Sequence, residues 1–154
     1  PMPQKRKASL IAVQIGLGLV IAVLAFFLYD SITAPWEAVE REQRLTDMTR
    51  TRMDQVRIAL RHFEDVNDRF PGSIDSLLSF VAEDSILSSN PDSIFHGTFD
   101  PSTVLNSARS GAKFVYALND TGRVKVYYLK DPDSDDHIGS MEPDITALHA
   151  ASWE

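Results

Sequence analysis

Leu10–Tyr29 reads LIAVQIGLGLVIAVLAFFLY. The stretch holds no charged residue, and Gln14 is its one strongly polar side chain. A helix rises about 1.5 Å per residue, so a run of this length covers roughly 30 Å, the depth of a bilayer's hydrocarbon core. A helix also satisfies its own backbone polar groups, as lipid demands. Residues 10–29 are therefore expected to form a transmembrane helix, with the remaining chain held at a membrane surface.

Charge on either side of the run suggests an orientation. Lys5, Arg6 and Lys7 lie in what should be a short cytoplasmic tail, residues 1–9, while Asp30, Glu37 and Glu40 lie on the far flank. Basic residues beside a span stay cytoplasmic, so the C-terminal domain is expected outside. A cleaved secretory signal has a basic start too. The apolar run here is longer than an ordinary signal core, however, and Ser31-Ile32-Thr33 is a poor small-x-small cleavage site, so the anchor is expected to be retained.

Within the span, Gln14, Gly18, Ala22 and Ala25 recur at spacings of four, four and three, on one helical face. Small residues let helices approach closely, and an amide in lipid seeks a polar partner. That face suits contact with another membrane helix. Ala8, Ala12 and Gly16 form a second small row, although a few such residues are as ordinary in a lone span.

Beyond the span the chain carries 12 basic against 22 acidic residues, a net of −10 within an overall −7. Nucleic acid and anionic headgroups both require basic patches, so neither is an expected partner. The chain has no cysteine, which excludes disulfides, thiolate metal sites and cysteine nucleophiles. The roughly 120 residues left over suffice for one small domain.

Pro35 is expected to interrupt the backbone, with Thr33 as a cap and Trp36 as an interfacial anchor. Helical patterning then covers about Ala34–Asn67. Its first half is charged, with Glu37–Arg41 and Glu40–Arg44 at the favourable i,i+4 spacing, and residues 30–52 suit a solvated stalk. Met53, Val56, Leu60 and Phe63 then recur at three, four and three, a stripe made to face a core. Pro71-Gly72 ends the helix, and Ser73 can cap a second one carrying Ile74, Leu77, Leu78, Phe80 and Val81. Residues 83–112 are punctuated by Asn90-Pro91 and Asp100-Pro101 and suit a loop region with at most a helical turn.

Lys113–Leu118 and Arg123–Lys130 are rich in aromatic and β-branched residues and joined by Asn119-Asp120-Thr121-Gly122, which predicts a hairpin. Alternation puts Phe114, Tyr116 and Leu118 on one face, and Val124, Val126 and Tyr128 on the partner's. An isolated hairpin is marginal, so it should pack on the stripe of Val56, Leu60 and Phe63. The fold class is thus α+β. A transmembrane helix continues into a long helix that packs on a small antiparallel sheet, with residues 53–154 as the extracytoplasmic domain.

Asp131–Glu142 has ligand-like spacing. Oxygens at Asp131, Asp133 and Asp135, Ile138 at position eight and Glu142 at twelve follow the calcium-loop pattern of an EF-hand, making calcium a candidate cofactor. Position six is Asp136 rather than the glycine of that pattern, and a strand precedes it rather than a helix. An acidic run is also ordinary solvated surface. His62, His96, His137 and His149 form no cluster along the sequence, and His62 suits a surface pair with Asp65. No protease, hydrolase, phosphate-loop or dinucleotide motif occurs, so no enzyme activity is expected. Asn119-Asp120-Thr121 matches a glycosylation sequon, but turn chemistry explains it more simply.

The layout resembles type IV pilins and the pseudopilins of type II secretion. The local likeness is Asn67-Asp68-Arg69-Phe70-Pro71-Gly72, which is similar to the family's Asn-Gly-x-Tyr-Pro turn, with Asp68 at the glycine and Phe70 at the tyrosine. Leu60 and Phe63 resemble its Leu-x-x-Tyr spacing upstream. The family is cut after a glycine before its span and carries a glutamate early within it. Here Ala8-Ser9 precede the span and Gln14 stands at the glutamate's place. The resemblance implies a bacterial cytoplasmic-membrane protein with a periplasmic domain, a non-catalytic subunit of an envelope complex with other membrane proteins as partners. It also strengthens the calcium expectation, since major pseudopilins hold calcium in a C-terminal loop. The alternative is a membrane-tethered module binding calcium or a small ligand.

Overall fold

Helix α1 runs Pro3–Asn67 in a computed structural model that describes residues 3–154; Pro1 and Met2 lie outside it, as do the side chains of Lys5, Arg6 and Lys7, the basic cluster that suggests the orientation. The chain is α+β, pairing this long helix with shorter ones and a three-stranded antiparallel sheet. That is a pilin-like layout. Two compact units divide it, the first ending at Gln43 and the second running Arg44–Glu154.

Pro35 does not interrupt α1. Proline lacks an N–H, so the carbonyl four residues earlier loses its helical donor, but neighbouring bonds can carry a helix past one such gap. Thr33 is not a cap either, because its hydroxyl donates back to the Tyr29 carbonyl at 2.8 Å. That backbonding along the helix is ordinary for threonine.

In the second unit α1 contributes the stripe read from its sequence. Met53, Val56, Ala59 and Leu60 are all buried. The helix ends at Asp68, whose φ of 53° is left-handed, and Pro71-Gly72 follow. Helix α2, Ile74–Glu83, is capped by Ser73, whose hydroxyl accepts from Ser76 N at 3.2 Å. It buries Ile74, Leu77 and Val81. Two short helices follow where a loop was expected, α3 at Ser85–Ser89 and α4 at Pro91–Ile94. Asp84 makes the first possible by accepting from both Ile86 N and Leu87 N at 2.9 Å.

The strands are β1, Val115–Asn119, β2, Val126–Lys130, and β3, His137–Gly139, paired in that order. The connection between β1 and β2 is longer than the four residues expected, because Arg123–Lys125 do not join the ladder. The phase of β2 also differs. Tyr116 faces Leu129 and Leu118 faces Tyr127 across the ladder, and Tyr127 and Leu129 are wholly buried. The core face of β2 is therefore Tyr127 and Leu129 rather than Val124 and Tyr128, a slip of one residue that exchanges faces. Val126 is buried as well.

β3 was not expected, and it pairs Ile138 with Leu129 and Gly139 with Tyr128. Beyond it Ala151 bridges Ile138, bringing the C-terminal segment beside the sheet. Phe63 is a further correction. It is only partly buried and meets Phe80 of α2 edge-on at 4.8 Å, whereas Phe70 reaches Tyr127 at 4.9 Å. The Pro71 turn is pinned to the sheet by Tyr116, whose hydroxyl donates to the Pro71 carbonyl at 2.9 Å.

Candidate functional site

The sequence carries two candidate sites, the apolar run and the acidic loop. The run lies in α1, and its side chains are open. Leu10, Ile15, Leu19, Leu24, Phe27 and Tyr29 are all more than half exposed, and none of the most apolar window is buried within the fold. The helix is long and apolar enough to cross a membrane, as both a membrane anchor and a signal sequence would be. Gln14, Gly18, Ala22 and Ala25 are exposed along it, and a Cβ added at Gly16 or Gly18 would meet nothing within 4 Å.

The acidic loop is organised differently from the expectation. Asp131 is fully buried, and its Oδ2 accepts from Arg109 Nη1 at 2.9 Å and from the Ser134 hydroxyl at 2.7 Å. Arg109 is anchored in turn, its Nη2 donating to the Thr46 hydroxyl of α1 at 2.6 Å. The backbone N–H and hydroxyl of Ser110 both donate to Asp133 Oδ2. The Ser110 hydroxyl first, then the Ser107 hydroxyl and the Ser110 N–H, hold the Asp133 carboxyl below its ordinary pKa. Asp136 takes a two-pronged bond from Arg50, Nε to Oδ2 at 2.9 Å and Nη2 to Oδ1 at 3.0 Å. The Arg50 guanidinium lies over Trp153, 5.3 Å from its ring centre.

The four proposed calcium ligands are not brought together. Asp131 turns inward to Arg109, and Asp133 turns to Ser110. Asp135 is open to solvent with Lys130 Nζ 3.6 Å away. Glu142 is exposed on the far side of β3. An EF-hand loop must curl, whereas a strand advances about 3.3 Å per residue and carries Glu142 away. Among the described residues no group of three His, Asp or Glu side chains could hold a metal. Sequence reasoning missed Arg109 and Arg50. Their partners lie 22 and 86 residues away, and no local spacing signals such a pair.

The histidines also find distant partners. His62 Nε2 meets Asp84 Oδ2 at 3.2 Å rather than Asp65. Asp84 is held below the ordinary carboxylate range, chiefly by the Leu87 N–H, with His62 adding to it. Asn119 serves the turn, accepting from the Thr121 hydroxyl at 2.7 Å while its amide donates to the Met141 carbonyl at 3.3 Å. A groove of about 600 Å³ is lined by Asp54, Arg57, Arg61, His96, His149 and Glu154, among others. Arg57 Nη2 spans it, 2.8 Å from Glu154 and 2.9 Å from Asp54.

Comparison with protein-family models, with curated proteins and with solved structures returns no match.

Proposed function

We propose that the chain is a non-catalytic, single-pass subunit of a multiprotein complex in a bacterial cell envelope, with a structural or interaction role like that of a pseudopilin. Residues 10–29 cross the cytoplasmic membrane with Lys5, Arg6 and Lys7 inside, and the domain lies outside. Gln14, Gly18, Ala22 and Ala25 form the face that meets another membrane helix. The observation that supports this best is a single helix, α1, that is apolar and unburied over its first part and packs a three-stranded sheet with its last. An apolar length of this kind in water would be a severe aggregation liability, and lipid or partner helices relieve it.

Gentle detergent extraction from native membranes, after photo-crosslinking from position 18 or 20, tests the proposal. Position 18 is expected to crosslink to another membrane protein. Val20, about 200° further around the helix, is not. Extraction as a solitary chain, with no crosslink from either position, would reject it. A membrane-tethered binding module is the second reading, supported by the groove between Arg57, Arg61 and His149. Thermal stabilisation of the chain by a small ligand, lost in Arg61→Ala, would favour it.

A further inference from the structure

We infer that the acidic loop Asp131–Asp136 takes its counter-charge permanently from Arg109 and Arg50, so the domain's C-terminal half is built to fold without a divalent cation. The loop has the carboxylate spacing of a calcium site, at Asp131, Asp133 and Asp135. The side chain that would open such a site is Asp131, and it is wholly buried. A carboxylate withdrawn from water requires a cation or several donors. Arg109 supplies the cation from 2.9 Å, with only a fifth of its own side chain exposed. Its second amino group is held by Thr46, so the guanidinium cannot swing aside without abandoning α1.

Further oxygens of the loop are also occupied by the chain itself. Asp131 Oδ1 accepts from Asp133 N at 3.4 Å, and Asp133 Oδ2 takes both donors of Ser110. Asp131 N donates to the Asp136 carbonyl at 3.0 Å, and Asp136 N to the Ser134 hydroxyl at 3.2 Å, which closes the loop on itself. A metal entering here would have to displace a guanidinium and several hydrogen bonds before gaining Asp131 as a ligand. The arrangement also joins three distant parts of the chain. Thr49 of α1, fully buried, accepts from Ala108 N at 3.1 Å, so the segment carrying Arg109 is tied to α1 twice. Arg50 ties the loop's other end to the same helix. The two arginines thus do what a bound ion would do, fixing the loop and fastening the sheet's far end to α1.

The full-length chain in detergent, followed by hydrogen exchange of residues 126–139, tests this. Wild-type protection is expected to be the same in excess EDTA and in excess calcium chloride. Arg109→Met, which keeps the stem but removes the charge, should lower protection of the loop and β3 by roughly a hundredfold or more, the scale for stranding a buried charge. Lys113→Met, which breaks only the exposed pair with Asp75, should leave protection unchanged. Calcium-dependent protection of the wild-type chain, or wild-type protection in Arg109→Met, would overturn the inference. Should Arg109→Met fail to fold, calorimetric titration of the wild-type chain with calcium decides. No saturable heat supports the inference, and saturable binding that Asp133→Asn removes overturns it.

Discussion

The phenol of Tyr127 lies 3.0 Å from Nδ1 of His149, joining β2 to the C-terminal segment. Burial pushes the Tyr127 hydroxyl well above its ordinary pKa, so it keeps its proton and donates. Burial first, then the charges of Arg61 and Arg57, lower His149 to about 4. His149 is therefore neutral near pH 7, accepting at Nδ1 and carrying its proton on Nε2, which faces Glu64 Oε2 at 3.6 Å.

A pH dependence follows. The folded His149 titrates near 4 against 6.5 when unexposed to these neighbours, so the unfolded chain binds more protons between those values. Its contribution is complete above pH 6.5 and is lost as pH falls toward 4, by at most roughly 3 kcal/mol. Glu64, raised by burial, works in the opposite direction just above its ordinary pKa and reduces the slope. Denaturant midpoints read by near-ultraviolet circular dichroism from pH 7 to pH 4 should fall, and His149→Gln should flatten the curve. A wild-type curve that is flat over this range would show that His149 is not held neutral.

Gly139 should tolerate no side chain. Its φ is +80°, and an added Cβ would sit 2.2 Å from the Tyr127 carbonyl oxygen and 3.2 Å from that of Leu148. Both contacts are backbone and cannot rotate away. Gly139→Ala is expected to cost at least about 3 kcal/mol and to release β3 from β2. Gly72→Ala, where nothing lies within 4 Å, should be nearly silent in the same melts.

Leu60 and Phe63 should part company. Leu60 is wholly buried, and truncation to Ala is expected to cost about 2–5 kcal/mol. Phe63 is partly exposed and rests on Phe80, so Phe63→Ala should cost less and loosen α2 more than the sheet. Hydrogen exchange separates the cases. Greater loss of β1 and β2 protection in Phe63→Ala than in Leu60→Ala would contradict this packing.

Asp68 carries two local penalties, a left-handed backbone and a negative charge at the end of α1. Both are relieved in Asp68→Gly, which should raise stability by about 1 kcal/mol because the Lys125 amine binds only the backbone carbonyl there. Asp68→Val should lower it by at least as much. A urea series on the three chains checks the ranking, and Val equal to Gly would show that the conformation imposes no constraint.

Much of the fold was legible because its signals are local. The uncharged run of Leu10–Tyr29, the three-four spacing of Met53, Val56 and Leu60, the Ser73 cap and the composition of β1 and β2 each arise among residues a turn or two apart. Such signals fix where a helix or strand forms and which side of a helix is apolar. What remained depended on which distant segments meet. Tyr127 rather than Tyr128 turns inward because the ladder with β1 and β3 sets the phase, and both alternations were apolar enough to serve. His62 pairs with Asp84 across 22 positions, and Arg109 reaches Asp131 across the same separation. The acidic loop illustrates the difference most plainly. Its spacing records only which oxygens are close along the chain, whereas the cation that occupies it arrives from a segment that tertiary packing alone brings near.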